Sequence, residues 1–324
     1  MNTPRPGPPG RFSADPAEAV MLTDILFAQA ERLGDKPFLH GRIGGRIGGR
    51  AGDIGKDENG DGAWATLSWA EAADQVRRLA GGLTRIGIKP GDRVVLVSEN
   101  SPQWLIADHA IMAAGAITVP GYTTNTEDDH LHLLTDSGAA AAIVATNALA
   151  LRLMPAAERS SDCRHVIAME PVALGQALDF ETHLWDDLLR SDPAPPHEGS
   201  RTDTACIIYT SGTGGAPKGV MLSHGAILSN CDAIKHVFRD FDLSAEVFLS
   251  FLPLSHSYEH TAGQFFPVSI GAEIYYAKGT DTLAQDMAQV RPSFMTAVPR
   301  LYELFQGRIM LGLKKASPFS RALF

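Results

Sequence analysis

A glycine-rich loop carries the residues of this chain that are best suited to phosphate chemistry. Residues 209–220 read YTSGTGGAPKGV and follow DTACIIY, a β-branched run that is typical of a buried strand. Glycines let backbone N–H groups converge on an anion, hydroxyl groups add donors, and a lysine adds a mobile positive charge. The candidate phosphate-binding residues are Thr210, Ser211, Gly212, Thr213, Gly214, Gly215, Pro217, Lys218 and Gly219. The residues from Met221 onward have helical periodicity, so the sequence predicts a strand, a phosphate loop and a helix, with an unliganded turn as the alternative.

A second polar cluster follows a predicted strand further along the chain. His256, Glu259 and His260 spell HxxEH, the inverted zinc-peptidase signature, with two histidines one helical turn apart. A catalytic zinc needs a third protein ligand, and the later acidic residues form no evident ligand motif. Those residues are Glu273, Asp281, Asp286 and Glu303. A zinc peptidase is one interpretation of this cluster, and a hydrogen-bonded histidine at a strand end is another.

Residues 41–62 repeat a short Gly/Arg/Ile unit that cannot bury an apolar face, and they predict a long solvated loop. Within it, Asp57, Asn59, Asp61 and Gly62 match the first half of a calcium-binding EF-hand loop. The twelfth position is Ser68 rather than Glu, and the glycines leave no room for a preceding helix. The sequence therefore favours a loop without calcium.

The glycine-rich loop differs from the Walker A pattern GxxxxGK[ST] at two essential positions. Counted from Gly212, Pro217 stands where that pattern has Gly, and Gly219 stands where it has the magnesium-binding hydroxyl. The segment instead resembles the phosphate loop of the adenylate-forming (AMP-binding) synthetases, usually YTSGTTGxPKGV, with Gly214 in place of the usual Thr. LSWAEAADQVRRLAGGL, GDRVVLVSENSPQW, IMAAGAITVPGY and VPRLYE also resemble stretches of bacterial long-chain fatty acyl-CoA synthetases, in the same order. The resemblance covers the chain from about Thr23 onward.

This resemblance implies an ATP-dependent ligase that activates a long-chain fatty acid. A fatty carboxylate attacks the α-phosphate of Mg-ATP, pyrophosphate leaves, and coenzyme A then displaces AMP from the acyl-adenylate. The implied catalytic residues are Thr213, Lys218 and His256, and the implied substrate-binding residues are His256, Tyr258 and Glu259. The implied cofactors and substrates are ATP, Mg²⁺, fatty acid and coenzyme A, and no protein-ligated metal centre is predicted.

Strands that alternate with helices predict an α/β fold with doubly wound sheets and flanking helices. The clearest βαβ unit is a strand at Arg93–Val97, a helix at Pro102–Ala114 and a strand at Ala116–Val119. Residues 1–18 are expected to form a disordered leader, followed by one domain at 19–324. This domain would contain the 41–62 loop insertion, a first sheet with the phosphate loop at 92–235, and an incomplete second sheet at 236–324.

Two local expectations accompany this fold. A strand is predicted at Ser293–Val298, where the sequence reads SFMTAV. A helix capped by Thr126 is expected to carry Asp128, Asp129, His130 and His132 on its solvent-facing side.

Synthetases of this family continue through a YGxTE stretch, a ribose-binding Asp and a small C-terminal domain with a lysine for the first step. None of these motifs occurs in the sequence. The chain is therefore expected to be an incomplete N-terminal domain of an adenylate-forming enzyme, which would need the missing C-terminal region as a partner. Little ligase activity is expected from it alone, and an inactive nucleotide-phosphate binding fragment is the alternative.

The composition narrows the partners and the cellular locations that are expected for this protein. The net charge is −9, the pI is near 5.6, and no Lys/Arg stripe is present, so nucleic acid is not an expected partner. Cys163, Cys206 and Cys231 are widely spaced without a CxxC motif, which favours a reduced, cytoplasmic location. No apolar run is long enough to predict a membrane span, while peripheral contact with a membrane surface stays open.

Overall fold

The computed structural model describes residues 12–42, 64–172, 179–210 and 215–315. Its strands are β1 Pro37–Arg42, β2 Trp64–Ser68, β3 Arg93–Val97, β4 Ile117–Gly121, β5 Ala139–Val144, β6 His165–Ala168, β7 Glu181–Leu184, β8 Thr204–Thr210, β9 Lys218–Ser223, β10 Val247–Ser250 and β11 Glu273–Tyr276. Its α-helices are α1 Leu22–Leu33, α2 Trp69–Arg85, α3 Pro102–Ala113, α4 Glu127–Ser137, α5 Asn147–Glu158, α6 Trp185–Leu189, α7 His224–Val237, α8 Ser257–Glu259, α9 Phe266–Ile270, α10 Leu283–Val290 and α11 Pro299–Lys315. A π-helix at His260–Phe265 joins α8 to α9. The predicted α/β class is confirmed.

The larger sheet has seven strands in the order β7–β6–β5–β3–β4–β8–β9. Every neighbouring pair is parallel except β8 and β9, which are antiparallel. The chain reverses its direction of progress across the sheet beside β3, and the carboxyl ends of the parallel strands meet at one edge. Ligands bind at such edges in doubly wound sheets.

The smaller sheet has four strands in the order β10–β11–β1–β2. β1 and β11 are parallel, so strands from the first part of the chain complete a sheet with strands from its last part. The sequence-based outline had placed only residues 236–324 in this second sheet. The long-range partners of β1 and β2 gave no local signal, and the proposed domain boundaries stay predictions.

Helix α3 is surrounded by other elements, and Trp104–Ala113 are all buried. A helix that is apolar on every side is typical of a protein interior. It begins at a standard cap, because Ser101 Oγ accepts a hydrogen bond from the Trp104 backbone N at 3.2 Å and Pro102 occupies the first turn. Asp108 is buried on this helix, which makes its partners important.

A capping box of Ser68 and Glu71 stands at the start of α2. Ser68 Oγ accepts from the Glu71 backbone N at 3.2 Å, and Glu71 Oε2 accepts from the Ser68 backbone N at 2.8 Å. The two bonds satisfy donors that the first helical turn leaves free. The start of this helix therefore follows directly from two side chains in the sequence.

The strand predicted at Ser293–Val298 is wrong. Phe294 forms one isolated bridge with Phe248, and the side chain of Thr296 bonds to Glu259 instead of continuing a ladder. Conversely, β7 was not predicted, because its residues are mostly exposed and lack the apolar pattern of a strand. Backbone pairing with β6 holds it in the sheet.

Several predictions fall at the limits of the described ranges. Gly41 and Arg42 continue β1, so they belong to a strand rather than to the predicted loop insertion. The rest of that loop, including the partial calcium motif at 57–62, and residues 1–11 of the predicted leader lie outside the described residues. Across the described ranges, no helix combines the length and apolar character that a bilayer span requires.

Candidate active site

The two sides of the predicted phosphate loop form a β-hairpin. β8 and β9 pair antiparallel, with Thr210 opposite Lys218 and Tyr209 opposite Gly219. The expected strand–loop–helix order is corrected to strand–loop–strand, because residues 218–223 pair with β8 and the helix begins only at His224. The hairpin places the loop at the carboxyl end of β8.

The exposed ends of this loop are open to a ligand. Thr210, Gly215 and Lys218 are exposed, and Pro217 is half-buried. A methyl group built at Gly215 would meet nothing within 4 Å. The predicted phosphate-binding residues Ser211, Gly212, Thr213 and Gly214 lie outside the described residues.

Gly219 has a packing reason to be glycine. A Cβ atom at this position would lie 2.7 Å from Cγ2 of Ile207 and 3.1 Å from Cζ of Tyr209. Both distances are shorter than an ordinary carbon contact. Packing within the hairpin therefore requires a glycine at this position, and the role of Gly219 in phosphate binding stays a prediction.

Helix α4 supports the base of the loop. His132 Nε2 donates to the carbonyl oxygen of Pro217 at 2.8 Å, and its ring meets the Tyr209 ring edge-on. The Tyr209 hydroxyl donates to Asp136 Oδ2 at 2.6 Å. Burial and this neighbouring carboxylate raise the pKa of Tyr209 well above its ordinary range, so the phenol stays a donor.

The solvent-facing side predicted for α4 is partly wrong. Asp128 and Asp129 are exposed as expected, but His130 is buried and His132 is half-buried against the loop. Burial lowers the pKa of His130 to about 4, with a further contribution from the positive charge of Arg152. His132 and Asp136 are four residues apart, so they lie on one face of α4. This spacing was the signal in the sequence that the face could contact the hairpin.

A cavity of about 370 Å³ lies beside the hairpin, at the carboxyl ends of β4 and β8. It brings together three of the predicted site residues: Thr210, Pro217 and His256. Its other lining residues are Pro120, Tyr122, Asn125, Asp129, Leu133 and Tyr209. Two parts of the sequence that suggested chemistry separately therefore meet at one site.

His256 sits at the mouth of this cavity at the start of α8. Its side chain is exposed, and Nδ1 accepts a hydrogen bond from the Tyr258 backbone N at 3.4 Å. Asn100, which follows β3, positions the preceding turn: its Nδ2 donates to the Leu252 carbonyl at 2.6 Å, and its Oδ1 accepts from the Leu254 backbone N at 3.1 Å. Sequence reasoning did not identify Asn100, although its place directly after a parallel strand was a usable signal.

Glu259 is fully buried rather than open to the cavity. Its Oε1 accepts from Ser250 Oγ at 2.7 Å, and its Oε2 accepts from Thr296 Oγ1. Burial raises the pKa of Glu259 to about 7, and the two hydroxyl donors limit the shift. Gly263 makes room for this carboxyl group, because a Cβ there would lie 2.3 Å from Glu259 Cδ. Through these bonds Glu259 ties β10 to the residues before α11.

The two histidines of HxxEH do not form a zinc pair. His260 is buried, its Nε2 lies 2.9 Å from Asp108 Oδ2, and its Nδ1 lies 3.9 Å from Cys206 Sγ. Burial alone would lower the pKa of His260, but the Asp108 carboxylate outweighs it and raises the pKa to about 10. Both ring nitrogens of His260 thus face protein partners, and His256 is exposed at the helix start. The structure gives the zinc-peptidase interpretation no support.

A second cavity of about 610 Å³ runs along α7 and is also lined by residues between 257 and 262. Tyr258 contributes to it, while His256 two residues earlier lines the first cavity. Its lining residues are Leu222, Ala226, Ile227, Asn230, Ala233, Ile234, Val237, Ser257, Tyr258, Thr261 and Ala262, none of which is an acid, a lysine, an arginine or a histidine. The groove suits an apolar ligand.

The structure is a doubly wound α/β protein in which the β8–β9 hairpin lies beside a cavity, with an apolar groove along α7. A family model described as AMP-binding enzyme matches residues 26–322. The chain belongs to the AMP-binding enzyme family, and the predicted resemblance is confirmed.

Similar proteins carry acyl-CoA ligase names. Long chain acyl-CoA synthetase 3 of Arabidopsis thaliana is 26% identical over 315 residues, which cover 94% of this chain and 45% of that protein. Long-chain-fatty-acid–CoA ligase FadD15 of Mycobacterium tuberculosis is 30% identical over 249 residues, covering 75% of this chain and 40% of that protein. The chain thus spans less than half the length of these relatives.

Solved structures show the same fold. The adenylation domain of a carboxylate reductase from Mycobacterium chelonae has a TM-score of 0.75 at 20% identity, covering 94% of this chain and 50% of that one. A long-chain-fatty-acid-CoA ligase from Archaeoglobus fulgidus has a TM-score of 0.71 at 21% identity, covering 92% and 54%. Both similarities concern the fold.

Proposed function

We propose that this chain forms the acyl-activating part of an ATP-dependent acid–thiol ligase for long-chain fatty acids. A carboxylate oxygen would attack the α-phosphorus of ATP, and the bond to pyrophosphate would break, which leaves an acyl-adenylate. The sulfur of coenzyme A would then attack the acyl carbon, lose its proton and expel AMP. The relatives named acyl-CoA synthetases support this reaction class.

One observation carries the proposal: residues at the start of α8 line both cavities, His256 the one beside the hairpin and Tyr258 the apolar groove along α7. A fatty carboxylate that enters along the groove would have its chain against the α7 side chains and its head group near His256. A polar contact from His256 would orient the carboxylate, and Tyr258 would contact the first part of the chain. Glu259 would act indirectly, because its buried carboxyl group would fix the turn that carries His256 and Tyr258.

Lys218 is the candidate electrostatic catalyst. Its side chain is exposed beside the cavity and starts from the strand position opposite Thr210. A positive charge there would stabilise the charge that grows on the leaving pyrophosphate, together with backbone N–H groups and Thr213 of the loop. Asp129 and Thr210 line the cavity, and their side-chain oxygens are the type of ligand that Mg²⁺ prefers. A bound Mg²⁺ would offset the negative charge of the phosphates.

Release of pyrophosphate in the presence of ATP, Mg²⁺ and a long-chain fatty acid tests this proposal in the complete protein that contains this chain. Removal of one transition-state donor typically costs about 3 kcal/mol, so Lys218→Ala should slow release by on the order of 100-fold. Lys235→Ala is the matched control, because Lys235 is an exposed lysine on α7 that pairs with Asp15 at 3.3 Å. Equal rates for the two variants would contradict the role of Lys218.

The same assay on this chain alone separates the ligase from an inactive phosphate-binding fragment. ATP binding without fatty-acid-dependent pyrophosphate release would identify the fragment. Release that depends on fatty acid and rises with acyl chain length would support the apolar groove as the acyl site. The three cysteines are buried and free, in keeping with the proposed cytoplasmic location.

A further inference from the structure

Three potential metal ligands lie together at the outer side of the seven-stranded sheet. His165 begins β6, while Glu181 and His183 lie on the edge strand β7. β6 and β7 are parallel, with His165 opposite Glu181 and Ile167 opposite His183. Paired residues, and residues two apart on a strand, project from the same face, so the three side chains share one face. The cluster lies at the amino ends of these strands, away from the phosphate-loop edge.

The ligand atoms have the spacing of a metal site. His165 Nδ1 lies 3.2 Å from His183 Nε2, and each nitrogen lies 3.7 Å from Glu181 Oε2. An ion equidistant from these three atoms would lie about 2 Å from each, which matches Zn–N and Zn–O bond lengths. Among the described residues, this group meets the distance requirement for three ligands.

Burial prepares the imidazoles as ligands. The side chains of His165 and His183 are 11% and 19% exposed, whereas Glu181 is 74% exposed and leaves a side open to solvent. Burial lowers the pKa of both histidines, with contributions from Arg164 and Arg85 that Glu181 opposes. Two enclosed imidazoles and one exposed carboxylate therefore leave one side of the group open to a metal ion.

We propose that His165, Glu181 and His183 form a binding site for one Zn²⁺ ion. Two imidazoles and one carboxylate suit zinc and similar transition metals, whereas Mg²⁺ and Ca²⁺ take oxygen ligands. This site uses no residue of the cavity beside the hairpin, so a test of the zinc site is independent of a test of the ligase proposal.

The ion would fasten an edge strand that has little else to hold it. β7 pairs with one neighbour only, and Glu181, Thr182 and Leu184 are exposed. A short strand with mostly exposed side chains has few packing contacts to resist opening. Zinc would connect β7 to β6 through side chains, and the bound state would resist unfolding more strongly than the free state.

Zinc titration of the full chain, prepared without an affinity tag and stripped with chelator, tests the site. Calorimetry should show one Zn²⁺ ion per chain, and Zn²⁺ should raise the melting temperature while Mg²⁺ leaves it unchanged. His183→Ala should lose both effects. His236→Ala should retain them, because His236 is on α7 and contacts Arg239 instead.

Two results would overturn the proposal. The first is a wild-type chain that takes up less than one zinc ion or gains no melting temperature. The second is a His183→Ala variant that binds zinc as the wild type does. Should this variant not fold, chemical modification of wild-type histidines by diethyl pyrocarbonate decides instead. Zinc should protect His165 and His183, and equal modification with and without zinc would refute the site.

Discussion

The buried ion pair between Asp108 and His260 offers a sharp test of how this site is supported. Asp108 lies on α3 and is fully buried, as is His260 at the start of the π-helix. Their atoms approach to 2.9 Å, and Gln264 Nε2 also donates to Asp108 Oδ2 at 2.7 Å. Asp108→Asn keeps the shape of the side chain but removes the negative charge.

The expected loss of stability is large because a charge would be left without its partner. Breaking a buried ion pair by removing one member typically costs about 3 to 5 kcal/mol of unfolding free energy. The matched control is Asp74→Asn: Asp74 pairs with Arg78 at 2.7 Å on the surface, with side chains 52% and 37% exposed. An exposed pair contributes about 0 to 1 kcal/mol.

Urea unfolding, followed by tryptophan fluorescence, measures both variants. Trp104 is a local reporter, because its ring meets the His260 ring edge-on at 5.3 Å. Asp108→Asn should lose several times more unfolding free energy than Asp74→Asn. Equal losses would refute the interpretation of Asp108 and His260 as a charged pair.

This pair also predicts a pH dependence. The pKa of His260 is raised from 6.5 to about 10, so the pair stabilises the fold in full below pH 6.5. That stabilisation is lost as the pH rises toward 10 and through it. The variant Asp108→Asn should lack this alkaline loss, and unfolding curves at pH 6 and pH 10 compare the two proteins.

Three further predictions concern the hairpin and its surroundings. Tyr209→Phe removes the donor to Asp136 and should lower the unfolding free energy by about 1 to 2 kcal/mol in urea titrations; no change would show that this bond contributes nothing. Gly219→Ala should cost about 1 to 3 kcal/mol by overpacking, whereas Gly215→Ala meets open space and should cost less; equal melting temperatures would contradict the packing argument. The pKa of Glu259 is raised from 4.5 to about 7, so its environment favours the fold fully below pH 4.5 and less as the pH rises through 7. Glu259→Gln should therefore flatten the fall in stability between pH 5 and 8, and an unchanged slope would count against it.

Local sequence signals predicted the parts of this fold that depend on residues close together in the sequence. The capping box of Ser68 and Glu71 fixes the start of α2. The βαβ unit around α3 follows from the apolar strands β3 and β4 on either side of it, and from Ser101 and Pro102 at the start of the helix. The edge strand β7 could not be predicted in this way, because pairing with β6 rather than side-chain pattern holds it.

The site shows the same division. The loop sequence pointed to phosphate chemistry, and HSYEH pointed to a polar turn, but the cavity that joins Thr210 to His256 exists only in three dimensions. The roles of Asn100 and His132 depend on contacts with residues more than 80 positions away, which no local pattern contains.

The central claim is that the hairpin loop binds the phosphates of ATP. Calorimetric binding of ATP to the full chain, compared between wild type, Lys218→Ala and the control Lys235→Ala, tests it most directly. We expect ATP to bind the wild type and the control alike, and to bind Lys218→Ala at least several-fold more weakly. Equal affinity for all three proteins, or no binding to the wild type, would contradict it.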